Sequence, residues 1–510
     1  MTNRDTTALR TYHHATKHSV ASVTQTRHGL DWEIMPRPFK IYPDLEPVQL
    51  PRDFDTAPRP ALRALTQAAA GDATGPTLDL RALARLLFFS AGIVRTRSYP
   101  RGEMHFRAAA CTGALYHIDV YLVCGPLPDV PAGVYHFGPH DFGLRCLRAG
   151  DFRAALVDAS GAAPAIARAP VTLALTSTFW RNSWKYQSRA YRHCFWDGGT
   201  LLANLLAVAA AIELPLEVVL GYVDADVNAL LAVDGRHEAS IALVPLGCGA
   251  PAPASSPAIA PLDLPTLPLS NEEIEYPAIR AAHAASALRS PAEVAAWRSP
   301  RPSPVPPAPG DVMALTTLSL DSVHEPIETV ILRRGSARRF PHEPLSSSEL
   351  ATILGCASAV NPSDLGAGVR SLVDLYVIVH AVSGVSSGSY VYEGRRQGLV
   401  LLRAGDFRGT AGHLDLGQPL AADAAANCYW LCDLEAVLSQ YGNRGYRAVQ
   451  MEAAIAGGRS YLAAYALDLA ATGLTFFDDD VTAFFSPHAA GKSVLFLTAL
   501  GRRWPRPATP

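Results

Sequence analysis

Lysine is scarce in this chain, with four against forty arginines, so its placement carries information. One of the four, Lys185, sits in Phe179-Trp-Arg-Asn-Ser-Trp-Lys-Tyr-Gln-Ser-Arg-Ala-Tyr-Arg-His-Cys-Phe-Trp-Asp197. At helical spacing Arg181, Lys185, Arg189 and Arg192 share a stripe, with Trp180, Trp184, Tyr191 and Phe195 beside it. Cations four apart repel by a few tenths of a kcal/mol per pair, so such a stripe calls for an anionic or electron-rich partner: a carboxylate, a phosphate or a cofactor. The plainer reading is an amphipathic element bridging two domains.

Two further stretches have suitable chemistry. Arg107-Ala-Ala-Ala-Cys-Thr-Gly-Ala-Leu-Tyr116 is a small-residue, glycine-containing approach to the strand Ile118-Asp-Val-Tyr-Leu-Val123, which would let a planar ligand lie against backbone or would simply be a tight turn. Arg334-Gly-Ser-Ala-Arg338 clusters donors suited to a phosphate near a helix start. Tyr12-His-His-Ala-Thr-Lys-His18 has three histidines in six positions but no acidic or cysteine ligand with them, so a wrapping arm is the better reading than a metal site. The eight cysteines lack paired spacing; Cys428 and Cys432 have no second pair to complete a zinc site, and reduced, mostly buried thiols are expected.

The elements that must position these groups follow from pattern. A chain of 510 residues exceeds one typical core, so at least two domains are expected. A composition of 49% hydrophobic and 8% aromatic residues with net charge −2 reads as soluble and globular, and nothing in it suggests nucleic acid or an anionic membrane. The start has no signal-peptide core, and Asn204, Glu213, Pro215 and Glu217 interrupt the most apolar window, so a buried helix and a cytoplasmic protein are expected. Residues 1–60 read as an irregular arm packed through Trp32, Phe39 and Tyr42. Leu80, Leu83, Ala84, Leu87 and Phe88 predict a helix ending near Gly92, followed by a basic turn at Arg95, Arg97 and Arg101. A hairpin from Gly133 through Leu147, a β-branched strand from Val171 to Thr178, the segment Val218–Asp224 and a strand from Ile241 complete a mixed helix–strand domain over 61–248. Residues 249–310, rich in Pro, Ala and Ser, read as a linker around a short helix near Ala278 to Ala287, and 311–510 form a second domain.

The second domain repeats the first. Leu147-Arg-Ala-Gly-Asp-Phe-Arg153 recurs as Leu402-Arg-Ala-Gly-Asp-Phe-Arg408, and the same offset of 255 maps Gly133-Val-Tyr onto Gly388-Ser-Tyr, Asp119-Val-Tyr onto Asp374-Leu-Tyr, Lys185 onto Gln440 and Asp224 onto Asp479. A tandem duplication packed as a pseudo-two-fold dimer is expected. The copies differ where chemistry is at stake. Nothing like Arg334–Arg338 precedes the helix at Leu78, and the small-residue stretch maps onto Gly366, Gly368 and Arg370 without its sequence.

Tyr12 through Ser19, Arg107 through Tyr116, Phe179 through His193 and Arg334 through Arg338 together resemble the two-domain SagB/ThcOx-type dehydrogenases of the nitroreductase superfamily over nearly the whole chain. The resemblance implies an α+β fold: tandem nitroreductase-like domains, each a central mainly antiparallel sheet flanked by helices, with FMN at their interface. It implies oxidation of azoline rings to azoles in ribosomally made peptides, a catalytic Lys-Tyr pair at Lys185 and Tyr186, cofactor contacts from Arg334, Ser336 and Arg338, and approach of the flavin by the segment holding Arg107, Cys111, Gly113, Ala114 and Leu115. Relatives usually read Pro-Ser where this chain has Ala110-Cys111. No metal is implied.

Removing two hydrogens from a ring needs a base and a hydride acceptor, and side chains cannot accept hydride, so a cofactor is required. Free lysine and tyrosine, with pKa values of about 10.4 and 10, are poor bases at neutral pH, and Arg181, Arg189 and Arg192 are expected to depress both. The leading reading is one composite FMN site, with its phosphate clamp from the second domain and its flavin platform and Lys185-Tyr186 from the first. The alternatives are a NAD(P)H-dependent nitroreductase or flavin reductase, and a flavin-free pseudoenzyme that binds a peptide or protein partner. Substrate, electron acceptor and further oligomerisation stay open.

Overall fold

The computed structural model describes residues 2–25, 29–57, 59–67, 78–99, 102–299, 310–365 and 371–505. Two sheets organise it. The first runs, in spatial order, Pro47–Gln49, Gly143–Ala149, Gly133–Gly138, Ile118–Cys124, Val171–Thr178 and Glu238–Leu246. The second runs Leu469–Gly473, Ser493–Arg502, Ala426–Cys432, Asp374–Val379, Gly388–Glu393, Gly398–Ala404 and Val312–Ala314. Neighbouring strands are antiparallel. The strands Ile118–Cys124, Val171–Thr178 and Ala426–Cys432 are buried along their whole length, which is why their sequences do not alternate apolar with polar.

The 255-residue register holds element by element. Gly133–Gly138 and Gly388–Glu393, Arg153–Ala159 and Arg408–Leu414, Pro164–Arg168 and Pro419–Asp423, Phe179–Tyr186 and Leu434–Tyr441 all coincide. The core helices Ala190–Ala211 and Asn443–Ala466 cross where Gly199 meets Ala454 and Ala203 meets Gly458, and a Cβ on either glycine would come within 2.6 Å of the facing alanine. Each facing pair is its own repeat counterpart, so the crossing lies on the pseudo-two-fold axis. Small residues there let two backbones approach closely and bury both helices. Phe179–Ala211 is long and apolar enough to cross a membrane, yet its helix Ala190–Ala211 is buried along its whole length here.

The single cationic stripe expected from helical spacing does not form. Phe179–Tyr186 ends at Gln187, whose φ of +50° breaks the helix, and a 3-10 turn over Gln187–Arg189 leads into Ala190–Ala211. Gly442, φ +66°, marks the same break in the second half. Past the break, Arg189 and Arg192 reach into the other domain to Asp478 at 3.1 and 2.7 Å, while Arg444 and Arg447 reach back to Asp224, each at 2.7 Å. These exchanged pairs make Asp478 the counterpart of Asp224, one residue before the expected Asp479, which instead meets Lys17 at the surface.

The N-terminal arm, expected to be irregular, contains helices Thr7–Ala15 and Val20–Gln25. Phe39 and Tyr42 are buried as expected, whereas Trp32 is 60% exposed, its ring edge-on to Trp184. The presumed linker holds two helices, Pro277–Ala285 and Pro291–Arg298, and reproduces the arm's contacts. Arg192 donates to the His13 carbonyl and Thr16 hydroxyl; Arg447 donates to the His283 carbonyl and Ser286 hydroxyl. His18 N–H caps Asp478 as Leu288 N–H caps Asp224. The presumed basic turn is a hairpin, Ile93–Tyr99 paired with Gly102–Arg107, and Arg101 lies outside the described residues.

Candidate functional site

The small-residue stretch forms a turn whose hub is Asp197. Its Oδ1 accepts from the Thr112 N–H (2.9 Å) and hydroxyl (2.8 Å), while Oδ2 accepts from the Cys111 thiol (3.1 Å) and lies 2.8 Å from His117 Nε2. Thr200 donates to the Ala110 carbonyl at 2.7 Å. Between these anchors Gly113, Ala114 and Tyr116 take φ of +63°, +56° and +47°. Burial and the neighbouring Asp197 carboxylate push the Cys111 thiol well up, so it stays protonated and serves as a donor, the part a serine hydroxyl would play. Asp197 was missed as a functional residue; the available signal was that it is the one acidic residue from 179 to 197.

Arg107 braces the turn from behind. Buried, it donates to the carbonyls of Ile118 and Pro38 at 3.0 Å each, and its guanidinium stacks on Phe39 and Tyr116. These contacts use two of its three nitrogens, and its Nε is buried with no hydrogen-bond partner among the described residues.

Tyr186 lies over the turn. A Cβ on Gly113 would sit 2.7 Å from the Tyr186 hydroxyl, so close approach as well as positive φ requires glycine there. The Tyr186 ring stands edge-on to His193 with centroids 4.7 Å apart, and His193 Nδ1 is held 2.7 Å from Asn182 Oδ1. Lys185 is exposed, its Nζ 5.4 Å from the Tyr186 ring centroid. The expectation that three arginines depress the Tyr186 phenol is overturned. Arg181 is paired with Asp119 at 2.9 Å and Arg189 and Arg192 share Asp478, so all three guanidiniums are directed at carboxylates and away from the phenol. Burial, with Asp197 and Cys111 adding to it, raises the phenol instead. Tyr186 is therefore a proton donor at neutral pH.

The second domain contributes from across the interface. Arg334 donates through Nε (3.2 Å) and Nη2 (3.0 Å) to the carbonyl of Ala108, at the root of the turn, and its guanidinium lies 6.0 Å from the Tyr461 ring centroid. Ser336 Oγ is 3.5 Å from the Tyr461 hydroxyl, which accepts from Gly473 N–H. The Ser336 and Arg338 side chains are exposed. Burial pushes Tyr116 up to about 12, with Arg334 and Arg107 pulling the other way, which places both cations around this ring. The clamp loop follows helix Ile327–Arg333; the next helix, Ser347–Ala357, is closed by a Ser346–Glu349 capping box, so the expected phosphate site at a helix start is corrected to a loop site. A hydroxyl between two guanidiniums suits a phosphate, and the exposed Gly113 backbone beside a phenol suits a flat ring. These residues fit FMN.

The turn, Tyr186, Lys185 and Arg334 are thus brought together, with Ser336 and Arg338 on the same loop as Arg334. In the second half Gln440 replaces Lys185, Glu452 replaces Asp197 and accepts from Leu372 N–H at 3.0 Å, and Gly366, Gly368 and Arg370 lie outside the described residues.

No family model matches the chain. A protein of Methanocaldococcus jannaschii named "putative nitroreductase" is 28% identical over 181 residues, covering 34% of this chain and 89% of its own. The crystal structure of a "putative nitroreductase" from Anabaena variabilis aligns with a TM-score of 0.77 at 26% identity, over 98% of this chain and 99% of that one. The fold is nitroreductase-like. The Anabaena alignment spans both halves of the chain. A second such crystal structure, from Ralstonia eutropha, is 20% identical with a TM-score of 0.33 and covers 44% of this chain and 99% of that one.

Proposed function

We propose that the protein is an FMN-dependent oxidoreductase of the SagB/ThcOx type with one composite flavin site per chain. The observation that carries the reading is the reach of Arg334 across the domain boundary to Ala108, which sets the arginine–serine loop of one domain beside the small-residue turn of the other. Arg334, Ser336 and Arg338 would hold the phosphate, and the backbone of Gly113, Ala114 and Leu115 would face the ring system. When bound, FMN supplies the hydride acceptor that side chains lack. Lys185, exposed beside the Tyr186 ring, would accept the proton that ring oxidation releases, and the Tyr186 phenol, which keeps its proton, would orient the substrate by donating a hydrogen bond to it. Oxidation of an azoline in a ribosomally made peptide is the substrate assignment that the resemblance supports.

The first test is the visible spectrum of the purified protein, with flavin quantified after denaturation. One flavin per chain is expected. Two per chain would refute the composite arrangement, and a colourless protein after incubation with excess FMN would refute the oxidoreductase reading. Arg338→Ala should weaken FMN retention at least about tenfold, as loss of a charge-assisted contact to phosphate predicts. Lys185→Met should keep the flavin and lose turnover by roughly 10²–10⁴-fold. Steady turnover of nitro compounds or quinones with NAD(P)H alone would assign a general flavin reductase instead.

A further inference from the structure

The second half has a cavity lined in part by residues smaller than their first-half counterparts. It measures about 300 Å³, at the lower end of the range for small-molecule sites. Its apolar walls include Trp430, Tyr392, Met451 and Ile455, with Val218 and Leu220 closing it from the first domain. At the 255 offset Met451 stands where the first half has Trp196, Ala448 where it has His193, and Ala456 where it has Leu201. Three smaller side chains in one place open the space. The hairpin Ile93–Tyr99/Gly102–Arg107 also has no counterpart among the described residues between Ala357 and Asp374.

The walls are tied down. Val218 and Pro362 pair through backbone at 2.8 Å, Asp364 N–H donates to the Val218 carbonyl at 3.1 Å, and the Asp364 carboxylate accepts from Leu220 N–H, Gly221 N–H and Arg298. Inside, Glu452 accepts from Leu372 N–H, and Asn361 Oδ1 is buried with no hydrogen-bond partner among the described residues. Glu393, Asp374 and Arg395 add to the lining among the described residues. Lys492, outside the lining, pairs with Asp374 at 2.8 Å.

This is not a second flavin pocket. Pro60 bridges Pro326, which sets helix Ala61–Thr66 opposite Ile327–Arg333 as its counterpart, and the residues after it, 67–77, read Gln-Ala-Ala-Ala-Gly-Asp-Ala-Thr-Gly-Pro-Thr without one cation for a phosphate. We infer that this cavity binds a small amphipathic molecule with an aromatic or branched apolar body and an amine head, the body against Trp430, Tyr392 and Met451 and the head toward Glu452 and Asn361. An aromatic wall suits the body, and the Glu452 carboxylate with the unsatisfied Asn361 carbonyl oxygen selects a donor head over an anionic one.

The test uses the full-length protein with 2-phenylethylamine and 3-phenylpropionate, which share a ring and differ in head charge. The chain has five methionines, so the ε-methyl resonances of ¹³C-methyl-methionine protein are few, and Met451→Leu assigns that of Met451. Titration with 2-phenylethylamine should shift the Met451 methyl with a Kd of about 1 mM or tighter, and 3-phenylpropionate should bind at least roughly fivefold more weakly. Glu452→Gln, nearly isosteric, should weaken the amine several-fold without weakening the acid. Met451→Trp, which restores the first-half residue, should abolish binding of both. Equal binding of the two probes, a Glu452→Gln variant that binds the amine as wild type does, or shifts confined to other methionines would overturn the inference. So would no Met451 shift up to about 10 mM of the amine, a weakness that leaves no pocket to speak of.

Discussion

Asp478→Asn removes the one carboxylate that neutralises two buried guanidiniums. The Asp478 side chain is 3% exposed, Arg189 4% and Arg192 0%, so water cannot take over. The asparagine keeps an oxygen for one guanidinium or for His18 N–H, but it turns an amide donor toward the other. Breaking a buried pair in this way costs about 3–5 kcal/mol, because the surviving charge stays desolvated. Asp224→Asn should cost about the same, since Arg444 and Arg447 repeat the arrangement at 2.7 Å each. The pH dependence follows with a definite sign. Arg189 and Arg192 hold the Asp478 carboxyl far below the usual carboxylate range, and Arg444 and Arg447 hold Asp224 near 2, in both cases against the opposing effect of burial. Folded pKa values below the unfolded one of about 3.9 mean that the stabilisation is complete above pH ~5 and is lost as pH falls from there through about 2, by roughly 2 kcal/mol or more per carboxylate. Urea denaturation followed by circular dichroism at pH 7 and at pH 3 reads both effects. The variants should be less stable than wild type at pH 7 by the stated amount, and the gap should narrow at pH 3. A cost below about 1 kcal/mol at pH 7, or an unchanged gap at pH 3, would refute the claim that exchanged ion pairs lock the two halves.

Three other outcomes are expected. Gly113→Ala should cost about 1–2 kcal/mol from its left-handed backbone alone and should also displace the Tyr186 hydroxyl 2.7 Å away, lowering the melting temperature and turnover together; Ala114→Gly, at φ +56°, should lower neither. Tyr186→Phe should retain flavin and lose roughly 10²–10⁴ in kcat, and because burial raises the phenol, the wild-type pH–rate profile should show no alkaline break from Tyr186 below about pH 10. Burial raises Glu452 to about 7, so its contribution is favourable below its unfolded pKa of about 4.3 and is lost as pH rises through 7. Glu452→Gln should be near neutral at about pH 4 and stabilising by roughly 1–3 kcal/mol at pH 9 in thermal denaturation, the lower figure reflecting the residue's partial exposure.

What the sequence disclosed depended on how local the information was. Val171–Thr178 is a strand at its expected bounds because a β-branched, uninterrupted apolar run specifies one, and the 255 register holds from Gly133 to Tyr186 because both halves keep their loop lengths over that stretch, slipping by one residue at Asp224 and Asp478. The cationic stripe misled because a glutamine at φ +50° ends the helix, and propensity alone does not mark glutamine as a breaker. The partners of the stripe were invisible because Asp478 lies far along the chain and on the other domain. The repeat of the arm was hidden by a change of offset to 270, with Thr16 replaced by Ser286 and His18 by Leu288, contacts that in part use backbone groups any residue supplies. At the site, the turn, Lys185-Tyr186 and the Arg-x-Ser-x-Arg loop were legible as residue types. Their relative placement, and the reversal in Tyr186, came from burial and from Asp197.

A dimer of identical chains must carry two copies of every feature, whereas a covalent duplication lets each half change alone. The positions that still match across the axis here are mechanical: Arg189 with Arg444, Arg192 with Arg447, Tyr191 with Tyr446, and the small residues of the helix crossing at 199, 203, 454 and 458. Loss of either member would leave an uncompensated charge or a clash in the interface. The positions that no longer match gather around the two crevices: Lys185 against Gln440, Cys111 and Asp197 against their replaced counterparts, Trp196 and His193 against Met451 and Ala448, and the clamp arginines against an alanine-rich stretch. The charged residues that tie the halves together therefore match across the axis, while the residues around the two crevices do not. A chain selected only as a scaffold would have no reason to keep Lys185, Tyr186 and a positively charged clamp on opposite domains yet in register with one another. On the proposed function, that pattern corresponds to one loaded crevice and one released from the same duty, and a flavin stoichiometry of one per chain is its direct measure.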